Sequence, residues 1–200
     1  KITVEDVMKS PVVASPLKLY DCCPFSDGAS SVILCSEKFA KENGGDYIEV
    51  IGSGRGGSSA ALQGREHLTT IPSTKIASEA AYKMAGITPK DIDFAEVHDC
   101  FTIAEILDTE DLGFFEKGQG VQAVREGQTK RNGQIPINPS GGLKSKGHPI
   151  GATGVGQIVE VFDQLTGKAG ERTIKDAKIG LTQNFGATGA SCAVHVFQSV

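Results

Sequence analysis

The chain has 200 residues, a formal net charge of −4 and no tryptophan, with 39% hydrophobic and 22% charged residues. This size and composition predict one soluble domain with a buried core. The dispersed basic residues argue against a nucleic-acid-binding surface, and no apolar run approaches the roughly 20 residues that span a bilayer. No targeting signal is recognisable, so a cytoplasmic enzyme is the expectation.

The first quarter of the chain alternates short helices and strands. A helix is predicted near 3–9, with Thr3 as its N-cap. The apolar run at 31–36 predicts a strand, and residues 37–45 predict a helix that ends at a glycine pair. Residues 46–56 predict a second strand that runs into a glycine-rich loop.

The middle of the chain has apolar residues at helical spacing. Residues 73–85 predict a helix with Ser73 as N-cap and Gly86 as its stop. A third strand is predicted over 91–99 and another helix over 102–112.

The last part begins with a long polar, glycine-rich segment, 113–147, and loops of that length are usually functional. An amphipathic helix is predicted over 150–166. Two strands follow, 177–185 and 191–199, and the short turn between them favours antiparallel neighbours.

Together these elements predict an α/β fold: a mostly parallel five-stranded sheet with an antiparallel edge and helices on both faces. In such folds, sites form at the carboxyl ends of strands. Two predicted strands end near polar or reactive residues, at His98 and Cys100 in one case and at Asn184 and Gly186 in the other.

The most distinctive local feature is the run NPSGGLKSKGHPIGATG at 138–154. Pro149 is typical of a first helical turn, which places His148 at or just before a helix N-terminus. There the helix dipole favours a neutral imidazole, which accepts a proton from a thiol or stabilises an oxyanion. The alternative is a glycine-rich turn that carries an incidental histidine.

A second feature is EVHDCF at 96–101, where Cys100 follows His98 at a strand tip. Polar side chains there are costly to bury without purpose, and a nearby histidine activates a thiol. The alternative is that Cys100 is a core residue and His98 caps a turn. Five cysteines without metal-ligand spacing predict neither a disulfide framework nor a metal site.

Two further glycine-containing motifs are weaker. The run NFGATG at 184–189 can supply backbone oxyanion donors, although a plain β-turn explains it equally well. The run GSGRGG at 52–57 does not complete a dinucleotide-binding fingerprint.

In combination, EVHDCF, NPSGGLKSKGHPIGATG and NFGATGA, in this order, resemble the thiolases of the sterol-carrier-protein-type and archaeal acetoacetyl-CoA thiolase group. The segment LYDCCPFSDGASSVILCSE at 19–37 is similar to the part of those enzymes that enters their C-terminal half. The resemblance covers nearly all of the chain and implies a thiolase-like C-terminal half.

The resemblance implies a role for each matching residue. His148 corresponds to the histidine that activates the nucleophilic cysteine and lines the first oxyanion hole, and His98 stands where many thiolases have an asparagine. Cys100 corresponds to the acid/base cysteine, which other thiolases carry in a C-x-G motif that reads Asn-Phe-Gly here. Gly186 matches the second oxyanion hole. Cys23 and Gly147 are expected to contact coenzyme A.

The resemblance also implies that a nucleophilic cysteine from an N-terminal half is required, since no cysteine here has that sequence context. Residues 1–30 are expected to end the linker from that half, and 31–200 to form the C-terminal core domain. The expected substrates are acyl-CoA and acetyl-CoA, with no permanently bound cofactor. The expected partners are identical subunits, as a dimer or tetramer, and a synthase with an OB-fold, zinc-ribbon protein.

Two alternative functions stay open at this point. Relatives that act as retro-aldolases on CoA esters lack the thiolase cysteines, so Cys100 and His98 argue against that activity. A non-catalytic acyl-CoA-binding scaffold subunit is the other alternative, and the catalytic motifs argue against it.

Overall fold

A computed structural model describes residues 2–200 and has the expected α/β class. The helices are α1 (Val4–Lys9), α2 (Glu37–Asn43), α3 (Pro72–Ala85), α4 (Thr102–Asp111), α5 (Gly120–Arg125), α6 (Gly142–Lys146) and α7 (Thr153–Leu165). The strands are β1 (Val12–Ala14), β2 (Leu17–Lys18), β3 (Ile48–Gly57), β4 (Phe94–Glu96), β5 (Ile179–Gly186) and β6 (Ser191–Ser199).

The main sheet differs in detail from the prediction of five mostly parallel strands. It has four strands in the order β3-β6-β5-β4, and only β4 and β5 are parallel. The short turn after β5 makes β6 an antiparallel neighbour, as predicted. However, β3 pairs antiparallel with the other side of β6, so β6 is an inner strand rather than the edge.

The strand predicted at 31–36 is the missing fifth strand. These residues have no regular secondary structure and belong to no sheet among the described residues. Their side chains are open to solvent, with Ile33 92% and Leu34 85% exposed. β-Propensity alone makes no strand, because a strand is stabilised by partners and by burial of one face.

Helices cover both faces of the main sheet, as predicted. On one face, Ala77 and Ala81 of α3 belong to the larger hydrophobic cluster, together with Val196 of β6. On the other face, Val161 of α7 packs with Phe197. Neighbouring residues of a strand point to opposite faces, which is why Val196 and Phe197 belong to different clusters.

The glycine-rich run of β3 fits the sheet to α3 and shows no nucleotide-binding turn. Gly52, Gly54 and Gly56 alternate along the strand and all face the helix. A Cβ on these glycines would lie 2.5, 2.0 and 2.0 Å, respectively, from carbonyl oxygens of α3. The helix backbone therefore rests directly on the strand. The carbonyls belong to Ala81, Ala77 and Ser73.

The substitution Gly54→Ala should destabilise the fold. The new methyl group would meet the helix backbone, which cannot rotate away, so we expect an overpacking cost of about 3 kcal/mol. Gly57→Ala is the matched control, since its Cβ would point away from α3, with its nearest neighbour at 4.0 Å. Urea unfolding followed by circular dichroism measures both variants, and equal unfolding midpoints would contradict this account of β3.

Several predicted helix ends need correction. Thr3 caps α1 with a capping box, and Gly86 ends α3 in a left-handed conformation, as predicted. Ser73, however, lies inside α3 and donates its hydroxyl hydrogen bond to the Gly189 carbonyl at 2.7 Å. The segment predicted as one long loop, 113–147, contains the short helices α5 and α6.

Candidate active site

The carboxyl ends of β4 and β5 lie side by side because these two strands are parallel neighbours. The chain leaves β4 through His98, while β5 ends on Asn184, Phe185 and Gly186. The His98 ring lies 4.6 Å from the Phe185 ring, and its Nδ1 is 3.1 Å from the Asn184 side-chain nitrogen. The topology thus brings the two polar strand ends together, as predicted.

His148 joins this cluster from a different part of the chain. Its ring centroid is 5.0 Å from that of His98, in an edge-to-face arrangement of 81°. Both side chains are buried. The structure therefore brings together the histidines of the EVHDCF and GHP motifs, which are 50 residues apart in the sequence.

The predicted position of His148 at a helix N-terminus is wrong. Helix α7 begins at Thr153, and Pro149 instead starts the turn that precedes it, with its carbonyl accepting hydrogen bonds from Ala152 and Thr153. His148 is extended and pairs with Phe25 in an isolated bridge. Burial, rather than a helix dipole, lowers the pKa of the His148 imidazole.

Thr153 orients the His148 ring. Its hydroxyl donates to the Pro149 carbonyl at 3.1 Å, so its oxygen accepts from the imidazole Nδ1–H at 2.7 Å. This arrangement leaves a lone pair on Nε2, the form that takes a proton from a thiol.

Two carboxylates of the EVHDC run fasten the loop that carries His148. Glu96 accepts hydrogen bonds from the Ser140 backbone and hydroxyl at 3.0 and 2.6 Å, and its ion pair with Lys146 spans 3.1 Å. Asp99 accepts from the Leu143 backbone at 2.8 Å. The two motifs recognised in the sequence are therefore bonded to each other directly.

The segment 22–26 connects Cys100 with His148. The Cys23 backbone donates to the Cys100 carbonyl at 3.0 Å, and the His148 backbone donates to the Pro24 carbonyl at 3.1 Å. Cys100 and His148 therefore flank the same short stretch of chain. Cys23 therefore lies beside Cys100, and its expected contact with coenzyme A stays a prediction.

The electrostatic surroundings of His98 and Cys100 keep both side chains uncharged. Burial, followed by the neighbouring His148, lowers the pKa of His98 to about 4. Burial, with smaller contributions from Cys23 and two carboxylates, raises the pKa of Cys100 to about 12. Near neutral pH, His98 is a neutral hydrogen-bonding group and Cys100 is a thiol that holds its proton.

Gly147 and Gly186 lie at the edges of the cluster and differ in what surrounds them. Gly147 has φ +90°, and a Cβ there would approach the Ser26 hydroxyl to 2.5 Å, so only glycine lets segment 22–26 lie this close. Gly186 ends β5 with open space where a Cβ would stand.

Sequence reasoning gave no role to the buried amides beneath His98. The side-chain oxygen of Gln183 accepts from the His98 backbone at 3.0 Å, and its nitrogen donates to Asp108 at 2.7 Å. Gln157 donates to the Gln183 carbonyl at 3.0 Å and contacts Asn184. The available signal was a glutamine at a buried position of a predicted helix or strand.

Residues 2–200 contain neither a metal-binding cluster nor a membrane-spanning helix. No His, Cys, Asp or Glu side chains there form a group of three or more that could hold a metal ion. None of the helices in this part of the chain is long and apolar enough to cross a membrane.

Comparison with known proteins gives consistent matches to this fold and these motifs. The family model described as thiolase C-terminal domain-like matches residues 54–199. An acetyl-CoA acetyltransferase of Methanothermobacter thermautotrophicus is 52% identical over 197 residues, which cover 98% of this chain and 51% of that protein. Sterol carrier protein 2 of Homo sapiens is 38% identical over 205 residues, covering 94% of this chain and 35% of that protein.

A solved structure of a protein named Ltp2-ChsH2(DUF35) aldolase superposes with a TM-score of 0.87 and covers 99% of this chain and 51% of that chain. At 23% identity, this likeness establishes the fold alone. The chain spans about half the length of the methanogen relative and about a third of the human one.

Proposed function

Because the chain belongs to the thiolase family, we propose that it is the C-terminal half of an acetyl-CoA acetyltransferase or 3-ketoacyl-CoA thiolase. Such an enzyme catalyses the reversible Claisen condensation of acyl-CoA thioesters. The observation that carries the proposal is the pair of neutral histidines, with ring centroids 5.0 Å apart, next to the segment that also contacts Cys100.

In the synthetic direction, the nucleophilic cysteine of an N-terminal half carries the acyl group. His148 takes the proton from that cysteine through its free Nε2 and then donates from the same atom. The coenzyme A thiolate that leaves during acylation takes the Cys100 proton, and the resulting Cys100 thiolate removes a proton from the methyl group of acetyl-CoA. His98 and the protonated His148 donate hydrogen bonds to the enolate oxygen. Gly186 donates its backbone N–H to the oxyanion of the tetrahedral intermediate.

The degradative direction uses the same groups in reverse. Cys100 then donates its proton to the enolate carbon, and the thiol with its raised pKa is already in the protonated form that this step needs. In both directions coenzyme A enters as the thioester substrate, with no permanently bound cofactor. Cys23, which lies within segment 22–26, and Gly147, which lies against Ser26 at the end of that segment, are the proposed coenzyme A neighbours.

An N-terminal thiolase half is the proposed partner for the exposed apolar segment at 31–36. Ile33 and Leu34 are almost fully open to solvent in a segment with strand-forming sequence. Covering these side chains with a neighbouring sheet would supply the missing strand pairing and bury their apolar area. The N-terminal half can belong to the same polypeptide or to a separate one.

The remaining features of the assembled enzyme stay predictions. Residues 1–30 are the proposed end of the linker and 31–200 the core domain. A dimer or tetramer, a synthase and an OB-fold, zinc-ribbon partner are further proposed interactions, and the cytoplasm is the proposed location.

The chain joined to the N-terminal half of its methanogen relative tests the proposal. With acetoacetyl-CoA and coenzyme A, we expect acetyl-CoA to form, as measured by chromatography. The same fusion with its nucleophilic cysteine changed to alanine is the control and should form none.

The same fusion separates the two alternatives. When supplied with a 3-hydroxyacyl-CoA, a retro-aldolase would cleave it to a carbonyl compound and a shorter acyl-CoA, with no need for the nucleophilic cysteine. A scaffold subunit would bind the CoA ester without converting it. Either result from the folded fusion would contradict the thiolase assignment.

A further inference from the structure

A neutral histidine donates a hydrogen bond from only one of its two ring nitrogens, and the other nitrogen accepts. The proposed role of His98 requires the proton on Nε2, since Nδ1 faces Asn184. The hydrogen bonds beneath the His98 ring determine which ring nitrogen carries the proton.

The chain of bonds starts at the Gln183 backbone carbonyl, which can only accept. The Gln157 side chain must therefore direct its nitrogen there, at 3.0 Å. Its oxygen consequently faces the Asn184 side chain, at 3.4 Å. Gln157 is 1% exposed, so no bulk water competes for either atom.

The orientation of the Asn184 amide is fixed in the same way. The Gln157 oxygen can only accept, so Asn184 directs its nitrogen toward it. That nitrogen also lies 3.1 Å from His98 Nδ1, and an amide nitrogen can only donate. Nδ1 must therefore accept, and the imidazole proton lies on Nε2.

We propose that Asn184 and Gln157 are positioning residues that hold His98 in the Nε2–H tautomer, through hydrogen bonds that begin at the Gln183 carbonyl. His98 is thereby a fixed donor, while its neighbour His148, which is bonded to Thr153, keeps its Nε2 free to accept. Two imidazoles 5.0 Å apart thus carry opposite tautomers and divide the roles of donor and base.

The position of Asn184 adds weight to this proposal. By the resemblance, Asn184 stands where other thiolases have the C-x-G cysteine, and His98 where many have an asparagine. The two positions contact each other directly in this structure. An asparagine side chain at 98 would have no tautomer to fix, whereas a histidine there needs a donor at Nδ1.

Nuclear magnetic resonance of ¹⁵N-histidine-labelled protein tests the proposal without any turnover. The spectrum distinguishes protonated from unprotonated ring nitrogens, and the signals of His98 are those lost in His98→Asn. We expect a protonated Nε2 and an unprotonated Nδ1 on His98 near neutral pH. A protonated Nδ1 on His98 in the unaltered protein would overturn the proposal.

Asn184→Leu removes the donor with little change in side-chain size. We expect His98 to populate both tautomers in this variant, whereas Asn132→Leu, an exposed amide in a loop, should leave the spectrum of His98 unchanged. If His98 kept the single Nε2–H tautomer in the folded Asn184→Leu variant, Asn184 would not be the residue that fixes it.

The consequence for turnover rests on the proposed function and is measured separately. In the fusion enzyme, kcat of Asn184→Leu should fall on the order of 10²-fold, as for loss of an oxyanion donor, with a smaller change in KM. A single His98 tautomer in an inactive fusion would leave the tautomer assignment intact and refute only the thiolase reaction.

Discussion

Replacing His148 by alanine in the complete enzyme should lower kcat by more than roughly 10²-fold, because one oxyanion donor contributes on the order of 3 kcal/mol. The substitution removes both the base for the nucleophilic cysteine and a donor to the enolate oxygen. The enzyme should therefore fail at the first step, and mass spectrometry should detect no acyl-enzyme after addition of acetyl-CoA. His67→Ala, which changes an exposed histidine, is the control and should acylate normally.

The pH dependence follows from the lowered pKa of His148. The neutral imidazole is the active base, and protonation removes it as the pH falls. Because burial lowers this pKa from its ordinary value of 6.5, activity in the acid range should persist below that pH. Normal acylation by His148→Ala would contradict the assignment of His148 as base.

Replacing Cys100 by alanine should have an effect of similar size on a different step. General acid–base catalysis by a positioned side chain contributes about 10²–10⁴-fold, so thiolysis and condensation should both fall by at least about 10²-fold. Acylation can proceed without Cys100, because the departing coenzyme A thiolate can take its proton from water, so the acyl-enzyme should still form and should accumulate. His67→Ala, at an exposed histidine outside the site, is again the control. Near-normal thiolysis by Cys100→Ala would remove the acid/base assignment.

Accumulation of the acyl-enzyme separates the two variants. Loss of His148 blocks its formation, and loss of Cys100 blocks its use. If both variants failed to acylate, Cys100 would be acting on the nucleophile or on the fold rather than on the second substrate.

The motifs were the most predictable part of this chain. The strand tips at His98 and Asn184 meet because β4 and β5 are parallel neighbours, and the resemblance carried by EVHDCF and the GHP run is confirmed by the family match. Helix patterns with clear periodicity, such as the one ended by Gly86, were also correct in type. These features depend on local sequence or on topology.

The predictions that failed depend on tertiary contacts. The run at 31–36 has the composition of a strand but pairs with nothing among the described residues. The inner position of β6 follows from its pairing with β3, which is more than a hundred residues away in sequence. Pro149 is compatible with a helix start, but it heads a turn instead, and the packing of segment 22–26 against His148 has no counterpart in local sequence.

The glycine run of β3 illustrates the same limit. Its composition predicted a glycine-rich loop after the strand, yet the strand continues through these residues, and its alternate glycines allow a helix to lie against it. A pattern of small residues predicts that another segment of the chain or a ligand approaches the backbone closely. Only the structure shows that the approaching group is the backbone of α3.

The central claim is that Cys100 works on the acyl-CoA held by the two histidines, and deuterium uptake by acetyl-CoA tests it most directly. In D₂O, removal and return of a methyl proton by Cys100 places deuterium on the acetyl group, which mass spectrometry detects. The complete enzyme and its His67→Ala control should enrich acetyl-CoA in deuterium, and Cys100→Ala should not. Uptake by Cys100→Ala at the unaltered rate would assign the proton transfer to another group.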